Sequence, residues 1–177
     1  MKTLWIMTGI PGCGKSFVAT QALMHDNTQG WVYISRDEIR YTLLADNEEY
    51  FSHENEVYEI FIHKIVEALK SDNVYNVIAD ATHLNWHSRR KLLKGIGKEY
   101  DLRILYIIPV VVQSELDTCK YRNSRRTGRQ RVPDNVIEQM YESYRHPRND
   151  PFSYDGIMDF DNEKVYSLED AKCPFIV

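Results

Sequence analysis

Cysteine is scarce in this chain of 177 residues, and the three present, Cys13, Cys119 and Cys173, form no CxxC pair and no cysteine–histidine cluster at metal-ligand spacing. A disulfide framework and a structural zinc module are therefore excluded, and a reducing, cytoplasmic setting is expected. Long apolar runs are missing as well. No stretch approaches the ~18 residues that a membrane-crossing helix needs, and the first apolar segment enters a glycine-rich loop by Gly9, leaving no room for a secretory leader. Neither a membrane partner nor an export route is expected. There is no excess of positive charge either, because 22 Lys and Arg stand against 26 Asp and Glu for a net charge of −4. Contact with a polyanion must come from a local patch rather than a global field. Repeats, linkers and low-complexity tracts are absent. With 43% apolar and 27% charged residues, the chain suits one well-cored domain over 1–177, too small for a motor or a GTPase with an effector domain.

What is present is concentrated at the start. The run Leu4-Trp5-Ile6-Met7 reads as a buried strand, and Gly9-Ile10-Pro11-Gly12-Cys13-Gly14-Lys15-Ser16 follows it directly. Glycines at 9, 12 and 14 keep Cβ atoms away while backbone N–H groups converge on an anion. Lys15 can reach the β and γ phosphates of a nucleotide, and Ser16 offers a hydroxyl to Mg²⁺. This is the pattern of a phosphate-binding loop between a strand and a helix, and Gly9, Gly12, Cys13, Gly14, Lys15 and Ser16 are its candidate donor-site residues.

Downstream, apolar strands alternate with helices of 3.6-residue period. Strands are expected at 2–8, Trp31–Ile34, Val74–Ala79 and Leu102–Val110, with helices at Lys15–Met24, 37–45, Glu48–Lys70 and Trp86–Tyr100. A turn is expected at Gly156, and after it a last strand pair, Ile157–Phe160 and Lys164–Tyr166. The fold class is accordingly α/β: a parallel sheet flanked by helices, with ligands at the carboxyl ends of the strands.

Asp37 and Asp80 both fall at such ends. Asp37 is placed to orient an acceptor hydroxyl and take its proton, or simply to cap a helix, and Arg40, three residues on, to hold an anionic part of the acceptor or lie on the surface. Asp80 can bind a metal-coordinated water, brace Arg40 or form a turn, and Thr82, His83 and Asn85 can line an acceptor channel, although a loop histidine is ordinarily a surface residue. Arg89, Arg90, Lys91, Lys94 and Lys98 read as a wet helix face. From Lys120 to Arg131 there are six basic residues, with no acid between Asp117 and Asp134. An arginine-rich lid over about 116–135 is expected, closing Arg126 onto the β/γ phosphates, with Arg122 and Arg129 as secondary candidates; contact with a nucleic-acid backbone and plain solvent exposure are the alternatives.

These residues resemble the kinase domain of the bacteriophage T4-type polynucleotide 5′-hydroxyl kinases, within the wider group of small P-loop kinases. The likeness runs from Leu4 to about Pro147 and is carried by the phosphate loop, Arg36-Asp37-Glu38-Ile39-Arg40, Asp80-Ala81-Thr82-His83-Leu84-Asn85, and Tyr121-Arg122-Asn123-Ser124-Arg125-Arg126 leading to Val132-Pro133. The resemblance implies that Lys15 and Ser16 serve ATP and Mg²⁺, Asp37 is the general base, Arg40 binds the phosphate next to the 5′-OH, and Arg126 contacts the donor phosphates. It implies ATP, or GTP, as donor and single-stranded DNA or RNA 5′-OH ends as partners, in a cell's cytoplasm or in that of a host. Cys13 departs from the small residue common at its position, Asp80 aligns only with a small local offset, and no Asp-x-Asp-x-Thr motif follows, so 3′-phosphatase activity is not expected. The same architecture serves kinases of nucleosides, nucleotides and other small hydroxylated metabolites, and nucleotide-dependent binding proteins without turnover. An arginine-lined open mouth favours a polynucleotide; a closed pocket with few polar anchors favours a small acceptor.

Overall fold

Leu4, Ile6, Met7 and Thr8 are all buried, as a strand covered on both faces must be. In the computed structural model, which describes residues 1–24, 29–45, 48 and 52–161, this strand is the centre of a five-stranded sheet. The elements are β1 (Lys2–Thr8), α1 (Lys15–Met24), β2 (Trp31–Ser35), α2 (Arg36–Leu43), α3 (Glu54–Lys70), β3 (Asn76–Asp80), α4 (Trp86–Ile96), β4 (Leu105–Gln113), α5 (Leu116–Ser124), α6 (Asp134–Ser143) and β5 (Met158–Asp161). The strand order is β2-β3-β1-β4-β5 and every pairing is parallel. This is the expected α/β fold, one parallel sheet flanked by helices.

Alternation along β1 and β3 divides the core in two. Leu4, Ile6, Val77 and Ala79 face Phe61, Ile65 and Leu69 of α3 and Leu92 and Ile96 of α4. Trp5, Met7 and Ile78 point the other way, toward Ala19 of α1, Cys119 of α5 and Ile137 of α6. The register pairs Ile6 with Ala79 and Ser35 with Asp80, so the phosphate loop, the start of α2 and Asp80 lie on one edge of the sheet. Among the described residues no helix is long and apolar enough to cross a membrane.

Several boundaries differ from the sequence reading for local reasons. Glu48 is not helical: its carboxylate accepts the Ala45 N–H at 2.8 Å and meets His53 Nε2 at 3.1 Å, and α3 begins at Glu54, while residues 49–51 of the expected helix lie outside the described residues. Helix α2 starts at Arg36, where the Ser35 hydroxyl accepts the Glu38 N–H at 3.3 Å. α4 stops at Ile96, where the Lys98 and Glu99 N–H groups bond three residues back rather than four, to Gly95 O at 3.4 Å and Ile96 O at 3.1 Å. β3 covers Asn76–Asp80, after a turn in which the Val74 N–H bonds to Ser71 O. β4 begins at Leu105 rather than Leu102, since the Asp101 carboxylate accepts the Arg103 N–H at 3.0 Å and holds Leu102–Ile104 in a 3₁₀ turn. β5 adds in parallel to β4; the second member of the expected strand pair, Lys164–Tyr166, lies outside the described residues.

Candidate active site

The phosphate loop is shaped by positive backbone angles. Gly12 (φ +84°) and Gly14 (φ +101°) occupy conformations that side-chain-bearing residues rarely adopt, and a Cβ at Gly12 would strike the Cys119 carbonyl oxygen. The Gly9 N–H donates to Thr82 O at 3.0 Å, which ties the loop to the segment after β3. Lys15 is buried and folds back over the loop, its Nζ donating to Ile10 O at 2.9 Å and lying 3.9 Å from Cys13 Sγ. An ammonium held by one carbonyl and one weakly accepting sulfur retains a donor for an incoming phosphate.

Asp80 faces this loop. Its Oδ2 accepts from the Ser16 hydroxyl at 2.8 Å and from the Tyr33 hydroxyl at 2.6 Å, and the residue is buried. Burial and the neighbouring Asp80 charge push the Tyr33 pKa well above its ordinary value, so the phenol stays a proton donor. A hydroxyl and a carboxylate oxygen in contact make a hard-oxygen pair of the kind that holds Mg²⁺ with phosphates and water, and Ser16 and Asp80 fit that ion. Tyr33 was not a sequence candidate, though its place between Trp31 and Ser35 on one face of β2 was readable.

On the neighbouring strand end, Asp37 lies in the first turn of α2 with its side chain 59% exposed, and its Oδ1 accepts from Arg40 Nη1 at 2.5 Å. The Arg40 side chain is 6% exposed and its Nη2 reaches both Glu54 oxygens, at 2.8 and 3.1 Å. Arg36 donates to the same Glu54. Glu54, rather than Asp80, therefore braces Arg40, and the result is an exposed carboxylate fixed by a buried arginine.

Two sequence candidates, and one residue read as surface, take other roles. His83 is buried with φ +38°, its Nδ1–H donating to Met7 O at 2.9 Å and its ring 6.3 Å from that of Phe61, so it belongs to the core rather than to an acceptor channel or the surface. Burial lowers its pKa to about 4, and the imidazole is neutral. Asn85 caps α4, accepting the Ser88 N–H at 3.2 Å. Arg89 is no wet-face residue: it is fully buried and donates to Asp150, His83 O and Arg145 O.

The basic segment is partly tied down. Arg122 donates to Ser114 Oγ at 2.9 Å, and that hydroxyl donates to Cys13 O at 3.3 Å, linking α5 to the phosphate loop. Arg129 reaches Leu44 O at 3.1 Å and also Ala45 O, just past α2. Asn123 clips the segment's ends, exchanging bonds of 2.7 and 3.0 Å with the backbone of Val132. Lys120 finds its acid in α6, with Glu138 at 2.5 Å. Arg125 and Arg126 are exposed. Across β1 from Asp37, a cavity of about 440 Å³ is lined by Gly9, Ile10, Cys13, Val112, Ser114 and Tyr144.

Residues 4–147 match a protein family described as an AAA domain. The L-seryl-tRNA(Sec) kinase of Methanococcus maripaludis is 32% identical over 151 residues, covering 81% of this chain and 53% of the relative. Among solved structures, a chain of the Pnkp1/Rnl/Hen1 RNA repair complex superimposes with a TM-score of 0.67 at 21% identity, over 86% of this chain and 47% of that one. A fungal RNA kinase does so with a TM-score of 0.62 at 16% identity, over 97% and 78%. At these identities the structural likenesses bear on the fold alone, and the chain spans about half the length of the curated relative.

Proposed function

The chain belongs to the AAA-domain family and has an ATP-binding P-loop phosphotransferase fold, and from that premise we propose that it transfers the γ-phosphoryl group of ATP to the 5′-hydroxyl of DNA or RNA. The observation that carries this reading is the exposed Asp37 carboxylate, fixed by Arg40 on the sheet edge that also bears Lys15, Ser16 and Asp80. Phosphoryl transfer asks for a docked donor, an oriented acceptor and positive charge around the moving group.

The loop N–H groups and Lys15 bind the β and γ phosphates, and the cavity beside Val112 and Tyr144 has room for the donor's nucleoside. Ser16 and Asp80 hold Mg²⁺, which when bound neutralises charge on the phosphates. Asp37 accepts the proton of the acceptor hydroxyl as its oxygen bonds to the γ phosphorus and the bond to the β–γ bridging oxygen breaks. Arg40, held by Glu54, presents its guanidinium to the acceptor's adjacent phosphate, and Arg126 closes from the segment at about 116–135 onto the donor phosphates.

A second reading comes from the 32% identical relative, which is named for a seryl-tRNA: the acceptor is then a hydroxyl on an aminoacylated tRNA. One experiment separates the two. Radiolabelled ATP and Mg²⁺ are offered with 5′-OH DNA, 5′-OH RNA, seryl-tRNA and a panel of nucleosides. Label on a 5′ end, abolished by Asp37→Asn with ATP affinity kept, is the expected result. Label only on seryl-tRNA or on a nucleoside would overturn the polynucleotide reading.

A further inference from the structure

Helix α4 carries four basic residues and no acidic one over Trp86–Ile96. Arg89 is turned into the core, while Arg90, Lys91 and Lys94 are exposed. Some exposed cations elsewhere have found carboxylates: Lys70 pairs with Glu99, Arg103 with Asp101 and Arg148 with Asp159. Among the described residues no ion pair involves Arg90, Lys91 or Lys94. Two of them lie over aromatic rings instead. Lys91 Nζ is 4.3 Å from the centroid of Tyr58, and the Arg90 guanidinium is 5.9 Å from that of Trp86. Trp86 is itself stacked on exposed His87, with centroids 3.5 Å apart and planes inclined by 26°.

Position is the second observation. Tyr58 is fixed to α4 by its hydroxyl, which donates to Lys91 O at 2.8 Å, and a Cβ at Gly95 would lie 2.8 Å from that hydroxyl. The same ring carries the Arg36 guanidinium at 5.8 Å, and Arg36 is the residue before Asp37. Rings and cations thus run from the Asp37 site, across Tyr58 and Lys91, to Arg90, Trp86 and His87. From Lys91 back to Trp86 the helix advances about 7.5 Å, so the strip is long enough to meet more than one nucleotide.

We propose that this strip is the track along which a single-stranded nucleic acid lies, its 5′-hydroxyl at Asp37 and its following nucleotides on α4. Phosphates meet Lys91, Arg90 and Lys94, and bases stack on the Tyr58, Trp86 and His87 planes; alternating planes and anions are the chemistry of a single strand and not of an acidic peptide, which has no planes to offer. The proposal rests on the polynucleotide reading of the acceptor, and it adds the surface that would make a long strand a better acceptor than a single nucleotide.

The test uses the full chain and 3′-fluorescein-labelled DNA and RNA dodecamers with free 5′-hydroxyls, read by anisotropy over a salt series, together with phosphorylation kinetics on the dodecamer and on a 3′-phosphorylated nucleoside. Trp86→Ala is expected to weaken dodecamer binding at least about fivefold. The double variant Arg90→Ser with Lys91→Ser should flatten the slope of log affinity against log salt by about 1.4, two phosphate contacts at ~0.7 each. KM for ATP and for the 3′-phosphorylated nucleoside should stay within twofold in both variants, which also reports that they are folded. Unchanged dodecamer affinity, equal losses on both acceptors, or displacement of the dodecamer by polyglutamate at equal charge would overturn the track. Should no nucleic acid be phosphorylated while dodecamer binding still depends on Trp86 and Lys91, the kinase reading falls and the track stands.

Discussion

The buried Arg89 invites the sharpest perturbation. Its side chain is 0% exposed and that of Asp150 is 1%. Nε and Nη2 grip the two Asp150 oxygens at 2.7 and 2.5 Å, Nη1 donates to His83 O at 2.7 Å and Nη2 also to Arg145 O at 2.9 Å. Arg89→Met keeps much of the stem's volume but leaves the Asp150 carboxylate inside the protein with, among the described residues, only the Tyr154 hydroxyl, at 2.5 Å, as partner. Removing one member of a buried ion pair costs about 3–5 kcal/mol, against a total stability of about 5–15 kcal/mol for an ordinary domain. The double variant Arg89→Met with Asp150→Leu should be more stable than Arg89→Met, because no buried charge remains, yet stay below wild type, because the carbonyls of His83 and Arg145 are orphaned in both. Urea unfolding followed by circular dichroism, at equal m-values, reads wild type, Arg89→Met, Asp150→Leu and the double variant. The change should also reach the donor site: His83 follows Thr82, whose carbonyl accepts the Gly9 N–H of the phosphate loop at 3.0 Å, so ATP affinity is expected to fall with Arg89→Met. A loss under about 1 kcal/mol in the single variant, or a double variant equal to the sum of the two singles within about 0.5 kcal/mol, would refute the reasoning.

Such a hub was hard to see in the sequence, and the reason is distance along the chain. The phosphate loop was legible because its constraints lie within eight consecutive residues, from Gly9 to Ser16. The sheet was legible too, since strands buried on both faces announce themselves as apolar runs. The partners of the site residues are set by tertiary packing instead: Ser16 and Asp80 are 64 residues apart, Tyr33 and Asp80 47, and Arg89 and Asp150 61. Glu54, 14 residues from Arg40, passed for an ordinary acid in the first turn of a helix. One signal was present and outvoted. Arg89 stands three residues before Leu92 and seven before Ile96, on the helix face that enters the core, yet its neighbours Arg90 and Lys91 made the whole stretch look wet. The acid-free look of the 120–131 segment misled in the same way, because Lys120 draws Glu138 from the next helix.

The remaining predictions test the site. Glu54→Gln weakens the brace on Arg40, so kcat/KM on a 3′-phosphorylated acceptor should fall at least tenfold while KM for ATP holds; an equal loss on an unphosphorylated nucleoside would point to misfolding instead. His83 has a folded-state pKa of about 4 against 6.5 unfolded, chiefly through burial, so the unfolded chain binds the extra proton: its contribution is complete above pH 6.5 and is lost as pH falls toward 4, about 3 kcal/mol in all. His83→Asn, which suits the φ of +38°, should remove that part of the acid slope in urea titrations, and an unchanged slope would assign it to other groups. For Arg126, exposed on a segment anchored on either side by Arg122 and Arg129, closure onto the donor phosphates predicts that Arg126→Ala lowers kcat on every acceptor by about 10²–10³. A rise in KM confined to long strands, with a shallower salt dependence, would instead make Arg126 a nucleic-acid contact, because only a strand supplies phosphates beyond those of the donor.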